Sequence, residues 1–149
     1  MSAEVLVELN AKFALPILVV FVLTIEYVWC SFSCMVVRKE CFGTAHMKNF
    51  KEVHAQSHED QLPPTDGYPD TGCGYYSKTL SYGQWYKFNN WMRSHRNFLE
   101  FIYCYYAAIL VCGAYNPRLA WYLGGALTLV RIFFFKQKFN FNREDSGPR

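Results

Sequence analysis

Arg93-Ser94-His95-Arg96-Asn97-Phe98-Leu99-Glu100 opens an apolar run that continues through Ala107-Ala108-Ile109-Leu110-Val111-Cys112. On one helix, Arg93, Asn97 and Glu100 stand at i, i+4 and i+7, so a cation, an amide and a carboxylate share a face. A charge in hydrocarbon costs at least ~2.5–3.5 kcal/mol unless it is paired or wet. The stretch is therefore either a polar site where a helix enters a bilayer or a set of fasteners to another helix. Both need a membrane.

Working outward, three apolar runs have the length to cross one, since ~20 residues span the hydrocarbon core. The first covers 13–37, with Pro16 in its opening turns and Glu26 as the one charge inside. A mid-span carboxylate marks either a functional site or a group turned toward a neighbouring helix. Arg38-Lys39 closes this run as an interfacial anchor. The second run covers roughly 88–113 and the third 119–135, joined by a hairpin with Asn116-Pro117 as its turn. Gly124-Gly125 in the third predicts close helix approach. Arg131 lies near its end, and a polar tail occupies 136–149. Ahead of the first run, residues 1–12 alternate apolar and acidic positions and predict a short interfacial helix.

Residues 40–84 differ in kind. His46, His54, His58, Asp60, Pro63-Pro64, Asp66-Gly67, Pro69-Asp70 and Gly72-Cys73-Gly74 describe a polar, turn-dense loop. Loops of this length are functional or held by a partner. Cys41, His46, His54, His58 and Cys73 are zinc-ligating types, and His54 and His58 stand at helical spacing. No tight Cys-x-x-Cys pair accompanies them, so solvated surface residues are the preferred reading and no metal is expected. Tyr75-Tyr76, Tyr82, Trp85-Tyr86 and Trp91 make an aromatic approach suited to a headgroup boundary.

Composition agrees. The 149 residues are 52% hydrophobic and 19% aromatic, far too apolar for a disordered chain, and a net charge of +3 gives no nucleic-acid signature. Four of the six cysteines, Cys30, Cys34, Cys104 and Cys112, lie in apolar runs, where cysteine acts as a small hydrophobe. Cys41 and Cys73 lie in the polar segment, where pairing is open to them. No basic region precedes the first run, so no cleavable signal is expected. Lys and Arg concentrate in the middle loop and the tail, which places both on the cytosol-like side and the N-terminus opposite. The expected fold is an all-α membrane protein with three transmembrane helices, one membrane domain over 1–149, and a long polar loop between helices 1 and 2.

The stretch Arg93-Ser-His95-Arg-Asn97-Phe-Leu-Glu100 resembles the second-helix motif Arg-Ala-His-x-Asn-x-x-Glu of the membrane-associated eicosanoid and glutathione metabolism (MAPEG) family, nearest its microsomal glutathione transferase branch. Tyr115-Asn-Pro117-Arg118, Gly124-Gly125 and Arg131 follow in the family's order. The resemblance implies a MAPEG-like helical bundle. It further implies that Arg93, His95, Asn97 and Glu100 contact glutathione at the interfaces of a homotrimer, with Arg38 as a carboxylate partner. Arg131 or Arg143 would then stabilise the thiolate.

This chain departs from the family pattern in several places. Tyrosines usual at +3 and +7 after the late arginine are Phe134 and Lys138 here. Residues 140–149 stand where a catalytic arginine and a fourth helix are expected. Two functions follow. One is an accessory subunit, without catalysis, of a larger multi-protein membrane complex, a mitochondrial inner-membrane respiratory assembly being the favoured host. Its polar stripe then meets lipid headgroups or other membrane subunits, and no cofactor is required. The other is a microsomal-type glutathione transferase or peroxidase of the endoplasmic reticulum, acting on lipophilic electrophiles.

Overall fold

The computed structural model describes the backbone of residues 3–58 and 61–144, and the side chains of 12–58 and 61–136. Helix α1 covers Ala3–Cys41, α2 Thr44–Met47, α3 Lys51–Ser57, α4 Tyr82–Tyr115 and α5 Pro117–Glu144. Short 3-10 turns occupy Lys48–Phe50, Thr65–Gly67 and Tyr76–Thr79. No strand occurs among the described residues. Three helical segments, Lys12–Cys41, Tyr82–Tyr115 and Pro117–Lys136, are long and apolar enough to cross a membrane. The protein is an all-helical, integral membrane protein.

The termini of these helices follow from local chemistry. At the start of α4, Ser81 and Gln84 form a reciprocal cap: the Gln84 N–H donates to Ser81 Oγ at 3.4 Å, and Gln84 Oε1 accepts from the Ser81 N–H at 3.3 Å. At the start of α5, Asn116 Oδ1 accepts the Leu119 N–H at 3.1 Å, with Pro117 at the first helical position. Asn116 alone therefore separates two long helices. The separate interfacial helix expected over 1–12 does not form, because α1 is continuous from Ala3. Pro16 consequently lies well inside α1 and not in its first turns.

The chain divides into two compact units, one of residues 1–29 with 97–149 and one of residues 30–96. In the first, small residues let helices touch. A Cβ on Gly113 would come within 2.6 Å of the Pro16 ring, and one on Gly124 within 2.5 Å of Val19 Cγ1. Gly125, expected to share this role, faces open space. Hydroxyls here return to the preceding turn or to each other, as backbone and side-chain polar groups must where water is absent. Thr128 donates to the Gly124 carbonyl at 3.0 Å, and Thr24 and Tyr106 share a hydrogen bond of 2.7 Å.

The second unit gives the polar loop between the first two spans a core of its own. Phe42, Met47 and Phe50 are buried with Phe88 and Trp91 in one apolar cluster, and Phe42 meets Phe88 edge-on at 5.0 Å. Gly67, at φ +68°, lies against the Phe42 ring so closely that a Cβ would come within 2.5 Å of it. Asp70, 5% exposed, organises the next turn. Its carboxylate accepts the N–H groups of Gly72, Gly74 and Ser77 at 2.8, 2.9 and 2.7 Å, and the Ser77 hydroxyl at 3.0 Å. Trp85 Nε1 and Asn89 Nδ2 both donate to the Gly72 carbonyl, at 3.0 and 3.1 Å, fastening this turn to α4. The segment between the first two spans is a folded cap.

Candidate functional site

The cap fixes where the motif of α4 lies in depth. Within its unit, Cys34 Sγ is 3.1 Å from Met92 Sδ, so Met92 stands level with the turn of α1 that precedes Arg38. Arg93 is therefore about 7 Å deeper than Arg38, at 1.5 Å per residue. In the other unit, Phe98 meets Tyr27 edge-on at 5.7 Å. Glu100, two residues further along α4, stands about level with residue 25, the midpoint of the apolar run 13–37.

Direction matters as much as depth. The face of α4 that packs within the chain carries Phe88, Trp91, Ser94, Phe98, Ile102 and Ile109, all buried. Arg93, Arg96, Asn97 and Glu100 are exposed, and His95 is half-buried between the two faces. The cation, amide and carboxylate thus do share a stripe, and it points away from the chain's own helices. One helix carries all four motif residues. Within their own units, Arg38 does not join Arg93 and His95, and Arg131 does not join Asn97 and Glu100.

Arg38, 6% exposed, is engaged in the cap. Its guanidinium lies 4.4 Å from the Tyr68 ring centroid and 5.0 Å from that of Phe88, and Nη1 donates to the Asp66 carbonyl at 3.3 Å. Cation–π contacts of a desolvated arginine are worth up to about 2 kcal/mol. Arg131 is likewise turned inward, with its guanidinium 3.5 Å from the Phe98 ring centroid and 5.8 Å from that of Phe135. Its charge acts on Glu26, a side chain 9% exposed whose two carboxylate oxygens, like Arg131 Nε, have no hydrogen-bond partner among the described residues. Phe134 is exposed. The side chains of Lys138 and Arg143 lie outside the described residues.

The zinc-ligating types are scattered. Cys41 is buried and Cys73 exposed, both as free thiols. His46 Nε2 lies 3.1 Å from the Tyr76 carbonyl and 3.3 Å from Thr79 Oγ1, a contact internal to the cap. His54 and His58 stack with ring centroids 4.4 Å apart. Among the described residues no three metal-ligating side chains converge.

A family model matches residues 16–136, described as the MAPEG family, which takes in all three spans and the cap. The chain belongs to the MAPEG family. No curated protein and no solved structure matches it. As a MAPEG chain it presents Arg93, Asn97 and Glu100 on an outward face of α4, while Arg38 and Arg131 are held by its own aromatic rings.

Three features went unread as site chemistry, of which two had a local signal in the sequence. The aromatic cage of Arg38 draws Tyr68 from the loop and Phe88 from α4, positions 20 or more residues apart that no short pattern links. The Asp70 turn had a visible signal in Asp70-x-Gly72-x-Gly74, an acid followed by glycines whose N–H groups it can accept. The outward direction of the α4 stripe was readable from the apolar phase of Phe98, Ile102 and Ile109, which lies on the opposite side.

Proposed function

We propose that this MAPEG chain is a membrane-embedded subunit of a larger assembly, held there through the outward stripe of α4, and that it does not itself perform thiol chemistry. The observation that carries this reading is Glu100, exposed and about level with the middle of the first span. A carboxylate left there in lipid is unfavourable by several kcal/mol, so a neighbouring chain or a bound ligand has to cover it. Arg93, about 10 Å along the same helix face, poses the same demand nearer the boundary. The commitment of Arg38 and Arg131 to their own aromatic partners supports the absence of thiolate chemistry, because neither guanidinium is presented to a ligand beside that stripe. Other membrane subunits and lipids are the partners, and a mitochondrial inner-membrane respiratory assembly is the favoured host.

A second reading has its own support. Arg93, Asn97 and Glu100 keep the family's motif and are exposed together, as a glutathione site shared between copies requires. Arg93 would take a carboxylate of the tripeptide and Glu100 its ammonium. Arg143 would then have to supply the thiolate's cation, in a homotrimer acting on lipophilic electrophiles.

Solubilisation in mild detergent followed by native mass measurement separates the two. The subunit reading expects co-migration with unrelated membrane chains, and Arg93→Ala or Glu100→Ala should release this chain from them. A pure homotrimer showing glutathione-thiolate absorbance would overturn it in favour of the enzyme.

A further inference from the structure

A cavity of about 380 Å³ opens in the cap, lined by Met47, Lys48, Lys51, Leu62, Pro63 and Asp66, together with two threonines. Its charged groups are two ammoniums and one carboxylate. Among the described residues none of the three is in an ion pair. Asp66 also holds a left-handed backbone (φ 60°, ψ 22°), an uncommon conformation for a residue with a side chain. That conformation is locked from below, since Arg38 donates to its carbonyl and Gly67 beside it packs on Phe42. The rest of the lining is apolar, and Leu62 stands 69% exposed.

We propose that this cavity binds the headgroup of an aminophospholipid, with Lys48 and Lys51 on the phosphate and Asp66 on the primary ammonium. The charge pattern selects this class. Two cations suit a phosphate, but a purely anionic headgroup would meet Asp66 unfavourably, and a quaternary amine offers that carboxylate no N–H. Position selects a lipid over a free solute: α2 begins three residues after α1 ends at Cys41, which puts the cavity where the first span leaves the bilayer. Met47, Leu62 and Pro63 then meet the glycerol and upper acyl carbons. The site is separate from the α4 stripe and does not rest on the assembly reading.

The test uses the full chain, purified in mild detergent and delipidated, with native mass spectrometry reading retained lipid. Phosphatidylethanolamine, phosphatidylcholine and phosphatidylglycerol are offered at equal concentration, with soluble phosphoethanolamine as a further arm. Phosphatidylethanolamine should be retained about tenfold better than phosphatidylcholine, as one charge-assisted contact predicts. Lys48→Glu with Lys51→Glu should remove that preference. Both lysines are exposed, and a thermal melt checks that the cap remains folded. Asp66→Asn, which tolerates the same backbone, should shift retention toward phosphatidylglycerol. Equal retention of the three lipids, retention that follows negative charge alone in the unaltered protein, or competition by phosphoethanolamine as strong as by the lipid would overturn the proposal.

Discussion

Replacing Asp70 with asparagine tests whether the segment between the first two spans is a folded cap held by one carboxylate. In the native turn Oδ1 accepts from Gly72, Gly74 and the Ser77 hydroxyl, while Oδ2 accepts the Ser77 N–H at 2.7 Å. Asparagine keeps one oxygen, so three contacts persist as weaker, uncharged bonds and an amide N–H₂ group is set against the Ser77 N–H. Losing charge assistance and leaving one buried donor unmatched together cost about 3–5 kcal/mol. The assay is amide hydrogen exchange in detergent, read at Gly72, Gly74 and Ser77. Their exchange should accelerate by roughly 10²–10⁴-fold, with the amides of α4 near Phe98 unaffected. Acid adds a second reading. Burial alone would raise the Asp70 pKa, but the hydrogen bonds from Gly72, Ser77 and Gly74 outweigh it and hold the carboxyl below its usual value. The stabilisation is therefore fully present above the unfolded value of about 3.9 and disappears as pH falls through the lower folded value. Protection at these amides should be flat through neutral pH and decline only in strong acid, and Asp70→Asn should flatten that decline. Unchanged exchange in the variant would refute the reasoning.

Further expectations follow from the membrane unit and the cap. Gly113→Ala and Gly124→Ala should each lower the thermal midpoint, by about 1–3 kcal/mol of overpacking against the rigid Pro16 ring and the branched Val19, whereas Gly125→Ala should be neutral. Arg131→Met should destabilise the chain by up to about 2 kcal/mol through the lost contact with the Phe98 ring, and adding Glu26→Gln in a double-mutant cycle reads how much of the loss passes through Glu26. Arg38→Lys should loosen the cap, because an ammonium lacks the flat face that rests on Tyr68 and Phe88. Proteolysis within residues 61–80 of that variant measures the effect.

The helical membrane class and the family were legible because each rests on local signals. Three apolar runs, the Asn116-Pro117 hairpin and the Arg93-x-x-x-Asn97-x-x-Glu100 spacing all speak within a few residues. The cap was not, because its core is assembled from distant positions. Phe42 follows the first span, Gly67 lies mid-loop and Phe88 is in α4, and only the fold brings these three together. Prolines and glycines there read as loop punctuation, yet Gly67 and Gly72 are the positive-φ positions that let the segment close on itself. The signal Ser81-x-x-Gln84 did mark the start of α4 six residues ahead of its apolar run. It is a polar signal, and a search for hydrophobic spans passes over it. Of the candidate site, residue types and the outward phase of α4 were readable, but the inward direction of Arg38 and Arg131 was not, so both stood as ligands until their aromatic partners were known.

Glu26 and Glu100 lie at about the same depth and meet the same dielectric problem in opposite ways. Glu26 is turned inward, where the charge of Arg131 counters part of the cost of burial. Glu100 is turned outward, and among the described residues no cation is paired with it. On the proposed subunit reading, stability of the isolated fold and stability of an assembly rest on different residues. Changes at Glu26 or Arg131 should lower the thermal midpoint of the solubilised chain whatever it is bound to. Changes at Arg93 or Glu100 should leave that midpoint nearly unmoved and appear only in what the chain co-purifies with. The proposed subunit reading requires that separation, and a single residue that moved both readouts equally would place the two acids in one network.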